Sequence, residues 1–348
     1  MMKGKIFQLI FAIAIFGGLG YFLYHKVKDD NSVLSDTAQD MVKSVSSDAD
    51  ASKIYNSDLI PTTELLDGRT PLATKVYAEL KVRYKKYFEE LVKEIKSTGA
   101  VPVLCWVTTE DGNAQTAIQY VGKAYIKQLC VEYGVDFEEL SGPILSNMAP
   151  YTFMPKDGHF NKLGASVVAR MAEGIIAKNA GARCKVTYTD KERSEFFGDQ
   201  LPNDNEILDG GKGLPYKLKT NKQGLRMNYD LSFPKKKRRI LFIGDSGFFF
   251  PFLDNDATAE GMVQSRHPEL EVLNAANWGY SIDDYLSLWK EGAKYAEPDV
   301  ILLQTSGSDI TDLFFTNRMK YSRHHEHIQP SALEKEFYEY LDKKAKKH

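Results

Sequence analysis

Two short motifs in this sequence combine residue types that do nucleophilic chemistry with residues that form exposed turns. The first is Gly244-Asp245-Ser246, directly after the apolar run Ile240-Leu241-Phe242-Ile243. A run of that length, ended by glycine, reads as a buried strand. The carboxyl end of such a strand is where open α/β sheets bind ligands. A serine presented there is a candidate nucleophile, which needs a base to take its proton and donors to hold an oxyanion. The second motif is Asp157-Gly158-His159, just before a helical pattern from about Lys162 to Ala177. An aspartate two residues from a histidine can orient the ring or stabilise its protonated form, as the acid of a hydrolytic triad does. Each motif alone also has a plain structural reading, GDS as a strand-to-helix turn and DGH as the start of a helix.

The elements that must position these groups alternate along the chain. Val76, Leu80, Tyr84, Tyr87, Phe88, Leu91, Val92 and Ile95 recur at helical spacing, and Gly99 closes that helix. Val101 to Val107 predicts a buried strand, Ala117 to Tyr133 a helix ended by Gly134, and Val135 to Phe137 a short strand. Residues 181–236 are rich in Gly, Asn, Asp and Lys, and read as a connecting segment with small strands at Lys185 to Tyr188 and Leu214 to Leu218. From Ser246 to about His267 the pattern predicts helix, then a strand over Leu270 to Leu273 and a glycine turn within Asn274 to Tyr280. A helix over Ser281 to Ala293, a strand over Asp299 to Leu303 and a final helix over Ser331 to Lys347 complete the reading. Such alternation predicts an α/β fold, a parallel sheet flanked by helices.

The 348 residues are 43% hydrophobic and 26% charged with a formal net charge of −2, enough chain for one large α/β domain or two modest ones. The near-neutral balance gives no footprint for nucleic acid. The basic run Pro234 to Arg239 leads straight into the 240–243 strand and reads as its solvated entrance. Ile6 to Tyr24 is apolar except for Gln8, near the length that crosses a bilayer, with basic residues on both flanks. No small-residue cleavage site follows, so it reads as an uncleaved transmembrane helix, a partner of the membrane through residues 6–24. Cys105, Cys130 and Cys184 are scattered and odd in number, and read as free thiols. The tract His324-His325-Glu326-His327 reads as a solvated loop, and no metal or cofactor is expected. The predicted organisation is a membrane anchor over 1–28, a flexible tether over 29–70, a part carrying the Asp/His loop over 71–180, the connecting segment over 181–236, and a part carrying the serine over 237–348.

Gly244-Asp245-Ser246, Asn274 with Gly279, the turn Ser306 to Asp309, and Asp157-Gly158-His159 together resemble the SGNH (GDSL-type) hydrolases, a superfamily of esterases and acyltransferases. The resemblance covers about residues 75–180 and 237–345. It implies a three-layer α/β/α sandwich with a parallel, flavodoxin-like sheet, with Ser246 as nucleophile, His159 as general base and Asp157 orienting it. It also implies oxyanion donors at the backbone N–H of Ser246 and Gly279, with Ser308 standing where the family carries an asparagine. Loss of one preorganised donor typically costs on the order of 10²–10³ in turnover; Gln304, Thr305 and Asn277 are candidates to compensate. The Asp/His loop precedes the serine, the reverse of the common order, so the domain reads either as circularly permuted or as two incomplete domains. That order, with an N-terminal anchor, is similar to the periplasmic proteins that O-acetylate alginate and related exopolysaccharides. The implied activity is ester hydrolysis on O-acyl groups of carbohydrate, or polysaccharide O-acetyl transfer, outside the cytoplasmic membrane; the other reading is a binding protein whose chemistry Ser308 has weakened. Trp278, Trp289, Phe248 to Phe250 and Tyr280 are either core or a sugar-stacking surface.

Overall fold

Helix α1, Pro71–Ser97, begins where the sequence provides both a cap and a preset dihedral. The Thr70 side chain accepts the Ala73 N–H at 3.0 Å, and Pro71 occupies the first turn. Its buried face is Ala73, Val76, Leu80, Tyr84, Phe88, Leu91, Val92 and Ile95, the stripe that the spacing predicts. This computed structural model describes residues 70–107, 117–140, 152–154, 158–209, 214–307, 309–315 and 331–345, all within the unit Ser57–His348. The remaining elements are β1 (Val101–Trp106), α2 (Ala117–Tyr133), β2 (Asp136–Glu139), α3 (Lys162–Lys178), β3 (Asn205–Asp209) and β4 (Pro215–Lys219). They continue with β5 (Arg238–Ile243), α4 (Ser246–Phe249), α5 (Ala259–Arg266), β6 (Leu270–Asn274), α6 (Ile282–Glu291), β7 (Val300–Thr305), α7 (Asp309–Phe315) and α8 (Ala332–Ala345).

Five strands form one sheet in the order β2-β1-β7-β5-β6, and every pairing is parallel. Numbered from β5 onward, that order becomes 2-1-3-4-5, the doubly wound arrangement whose ligand crevice opens where successive strands leave in opposite directions. Here that switch point falls between β5 and β7. The strands from both sides of the connecting segment therefore enter one sheet. Alternate residues serve opposite faces. Leu104, Leu241, Ile243, Leu273, Ile301 and Leu303 join a core with α1 and α6, while Val103, Cys105, Ile240, Phe242, Val272, Val300 and Leu302 join another with α3 and α5.

Three expectations change. The helix after Ser246 stops at Phe249, because Phe250 turns left-handed (φ 51°) and Pro251 cannot continue the ladder; a second helix starts only at Ala259. Lys185 to Tyr188 is not a strand: the N–H groups of Cys184 and Tyr188 go to the carboxylates of Asp299 and Glu297 at 2.8 and 3.1 Å, not to a ladder. The 214–218 piece does pair, as β4 antiparallel to β3. The basic run is solvated only in part. Arg239 is fully buried, with Glu271 and the carbonyls of Ala296 and Ser232 as acceptors at 2.7–2.8 Å.

Cys105 and Cys130 are buried and Cys184 half-buried, all as free thiols. No helix among the described residues is long and apolar enough to cross a membrane. The expected anchor at 6–24, the tether before residue 70 and the tract 324–327 lie outside the described residues.

Candidate active site

The serine turn is built by two glycines and one buried glutamine. A Cβ on Gly244 would lie 2.4 Å from Gln304 Oε1, and one on Gly247 would lie 2.6 Å from Gln304 Nε2. The absence of side chains there lets the amide of Gln304, near the end of β7, lie flat against the turn. Its Oε1 accepts the Phe248 N–H at 2.7 Å, and its Nε2 donates to Asp245 Oδ1. Asp245 also accepts the Gly247 N–H at 2.6 Å and so caps α4, whose first residue is Ser246. Ser246 is half-buried at the carboxyl end of β5. Burial raises the Asp245 pKa, while the Gly247 N–H, the Gln304 amide and the charge of His159 act against that rise.

The segment after the serine is strained and braced. Phe250 and Phe252 hold φ of 51° and 66°. Arg226, from the connecting segment, donates to the carbonyls of Phe249 and Leu253, to that of Phe250 at 3.3 Å and to Asn255 Oδ1 at 3.0 Å. Its guanidinium also lies over the Phe249 ring, 4.7 Å from the centroid. From β6, the Asn274 side chain donates to the Phe248 carbonyl at 3.0 Å.

The loop after β6 is tied directly to the serine turn. The Asn277 N–H donates to the Gly244 carbonyl at 3.0 Å, which sets Trp278 and Gly279 beside it. Gly279 has φ 67°, a conformation that glycine takes without steric cost.

His159 comes to the same end of the sheet from the loop before α3. Its carbonyl accepts the Met154 N–H at 2.8 Å, and the Asn161 N–H donates to the Thr152 carbonyl at 2.9 Å, so a small antiparallel bridge fixes the loop. Asn161 caps α3 through the N–H groups of Leu163 and Gly164. The imidazole lies 5.5 Å from Trp278 and 6.0 Å from Phe252, centroid to centroid. Asp157 and Ser308 lie outside the described residues.

A carboxylate cluster stands behind the turn. Oxygens of Asp245, Asp309 and Asp312 lie within 4.8 Å of one another. Burial, and then the charge of Asp245, hold the Asp309 pKa well above the usual carboxylate range. A proton on Asp309 relieves the repulsion; the all-oxygen donor set is also of the type that takes a hard cation.

Two of the expected compensators for Ser308 have other partners, while Asn277 is engaged through its acceptor oxygen, which is not the atom an oxyanion would need. Gln304 braces the turn, Thr305 Oγ1 lies 3.5 Å from the Tyr84 hydroxyl, and Asn277 Oδ1 accepts the Trp278 N–H at 2.9 Å. Of the aromatics weighed as core or surface, Trp289, Phe248, Phe249, Phe250 and Tyr280 are core; Trp278 is not. The sequence offered no signal for the parts of Arg226 and Gln304, because neither sits in a motif and both act across the chain.

Fold and site define a parallel-sheet α/β protein with a serine, a histidine and a glycine turn gathered at the open end of its sheet. No family model matches the sequence, and no curated protein matches it. Among solved structures, the O-acetyltransferase domain of AlgJ from Pseudomonas putida is similar at 15% identity and TM-score 0.43, covering 76% of this chain and 92% of that one. AlgX from Pseudomonas aeruginosa is similar at 12% identity and TM-score 0.36, covering 67% of this chain and 59% of that one. PatB1 from Bacillus cereus, in a structure with a sulfonyl adduct, is similar at 11% identity and TM-score 0.37, covering 67% and 89%. At TM-scores below 0.5 these likenesses carry no chemistry over to this chain.

Proposed function

We propose that this chain is an SGNH-type serine enzyme that acts on O-acyl groups of carbohydrate through an acyl-enzyme. The observation that carries the reading is the convergence of separate loops on Gly244-Asp245-Ser246. The Asn277 N–H bonds the oxyanion loop to Gly244, and the His159 ring lies 5.5 Å from the Trp278 ring of that loop. In this reading His159 takes the proton from Ser246 Oγ as the oxygen bonds to the acyl carbon. Backbone N–H groups of Ser246 and Gly279, with Ser308, hold the oxyanion. The C–O bond to the leaving alcohol then breaks, and His159 returns the proton to that oxygen. Water or a sugar hydroxyl next attacks the acyl-serine with the same base, which gives hydrolysis or transfer respectively. Asp157 orients His159.

The sheet order numbered from β5 supports a circularly permuted domain over two incomplete ones. The apolar span 6–24 supports anchoring in a membrane; the placement of the enzyme domain outside the cytoplasmic membrane rests on the resemblance alone.

The test compares full-length wild type with Ser246→Ala and His159→Ala on para-nitrophenyl acetate. Loss of hydrolysis in both variants, with unchanged thermal unfolding, supports the reading; an added oligosaccharide that becomes acylated identifies a transferase. A wild type with no turnover and no labelling by a fluorophosphonate removes the catalytic reading and leaves a binding protein of this fold.

A further inference from the structure

Trp278 breaks the burial pattern of its neighbourhood. Phe248, Phe249, Phe250, Phe252 and Tyr280 are all at most 8% exposed, whereas Trp278 is 39% exposed. An exposed indole on a mobile loop would need no explanation, but this one is held on several sides. Its ring packs against Phe249 at 5.9 Å and Phe252 at 6.3 Å, with His159 at 5.5 Å. Its backbone N–H is bound by Asn277 Oδ1 at 2.9 Å. A large apolar ring that is locked in place yet left open to water is preorganised for a ligand, because binding to it immobilises nothing further.

We infer that Trp278 is the stacking platform for a sugar ring of the acyl donor or acceptor, set beside His159 so that a hydroxyl of the stacked ring meets the reacting carbonyl. An exposed indole with its other contacts already filled offers a flat apolar patch on the scale of one pyranose. A sugar covers such a patch with its C–H face while its hydroxyl edge stays in water. An alkyl acyl chain gains most from a slot closed on all sides. This inference rests on the proposed carbohydrate ester chemistry for its ligand, but its readout does not require turnover.

The sequence contains three tryptophans, and the other two, Trp106 and Trp289, are 3% and 0% exposed. Stacking on Trp278 therefore reports as a change in intrinsic emission. The experiment titrates the full-length Ser246→Ala protein, which cannot turn over, with N-acetylated chitohexaose and with cellohexaose. The expected result is a saturable blue shift with at least one of them, lost on adding Trp278→Ala, with affinity by calorimetry weakened roughly tenfold and partly restored by Trp278→Phe. The Phe variant keeps a ring in the site, so its recovery separates stacking from misfolding. Equal affinity with and without the Trp278→Ala substitution, or no shift with either sugar, overturns the inference. A shift produced by para-nitrophenyl octanoate and not by the sugars overturns it in favour of the acyl chain. A sugar-induced shift in a protein that fails to hydrolyse para-nitrophenyl acetate leaves stacking standing and removes the ester chemistry. Hydrolysis without a sugar-induced shift does the reverse.

Discussion

Gln304 and Asp245 hold the candidate nucleophile between two strands: the glutamine on β7 donates to the aspartate after β5 and accepts the Phe248 N–H at 2.7 Å with its other amide atom. Replacing Gln304 with alanine removes both bonds inside a dry core. The loss should cost about 1–3 kcal/mol of stability. Because the serine turn is then free to shift, kcat on an acetyl ester should fall on the order of tenfold or more with KM little changed. Urea unfolding and steady-state kinetics check the two halves; unchanged kcat would show that the turn holds itself.

Two glycines of α3 should respond oppositely to the same substitution. A Cβ on Gly164 would lie 2.3 Å from the Thr152 carbonyl and 2.6 Å from Phe160, so Gly164→Ala must push apart the bridge that carries His159. Gly174 has nothing within 4 Å of such a Cβ. Gly174→Ala should stabilise the helix by about 0.5–1 kcal/mol, while Gly164→Ala lowers both melting temperature and activity.

Arg226 tests whether the strained loop after the serine needs its brace. Burial pushes this guanidinium down to about 10, which leaves it charged at neutral pH. Arg226→Lys keeps a charge but gives up the planar fork that reaches three carbonyls and Asn255. A loss of at least about 2 kcal/mol is expected. Limited proteolysis should also show new cleavage in the 249–254 stretch. A variant as resistant as wild type would contradict the assignment.

Glu260 supplies a pH signature. It is buried, and burial raises its pKa to about 8 against weaker pulls from its own backbone N–H and from Arg226. Between its ordinary value near 4.5 and about 8, the folded chain keeps a proton that the unfolded chain has released. Stability attributable to this group is therefore complete below pH 4.5 and declines as pH rises through that window. Glu260→Gln should match wild type at about pH 4 and exceed it at about pH 9 by roughly 2–5 kcal/mol. Thermal unfolding across that range decides; a constant difference at all pH values would sink the idea.

The readable parts of this chain were those that local spacing controls. The stripe from Val76 to Ile95, the helical pattern from Lys162 to Ala177 and the run Ile240 to Ile243 each carry their period within a few residues, and the structure follows them. The failures share long-range partners as a cause, although Pro251 was also a local stop signal in the first of them. The hydrophobic run Phe248 to Phe252 reads as helix by composition, but Arg226 and Asn274 stabilise a left-handed break there from distant parts of the chain. Lys185 to Tyr188 has the apolar alternation of a strand, but Asp299 and Glu297 satisfy the backbone N–H groups of Cys184 and Tyr188. Gln304 looked like a spare donor because sequence shows that it is polar and not where its amide points.

The position of β7 has a consequence for how the chain is made. It lies in the middle of the sheet, pairing with β1 through Val101 and Val300 on one side and with β5 through Ile240 and Val300 on the other, yet it is the last of the five strands in the sequence. During synthesis the β1–β2 pair and the β5–β6 pair each carry an open edge and share no neighbour until residue 305 has emerged. Such long-range pairing is slow to form and leaves those edges exposed to other chains meanwhile. A nascent or truncated product that ends before β7 thus cannot seat Ser246 and His159 on a common sheet.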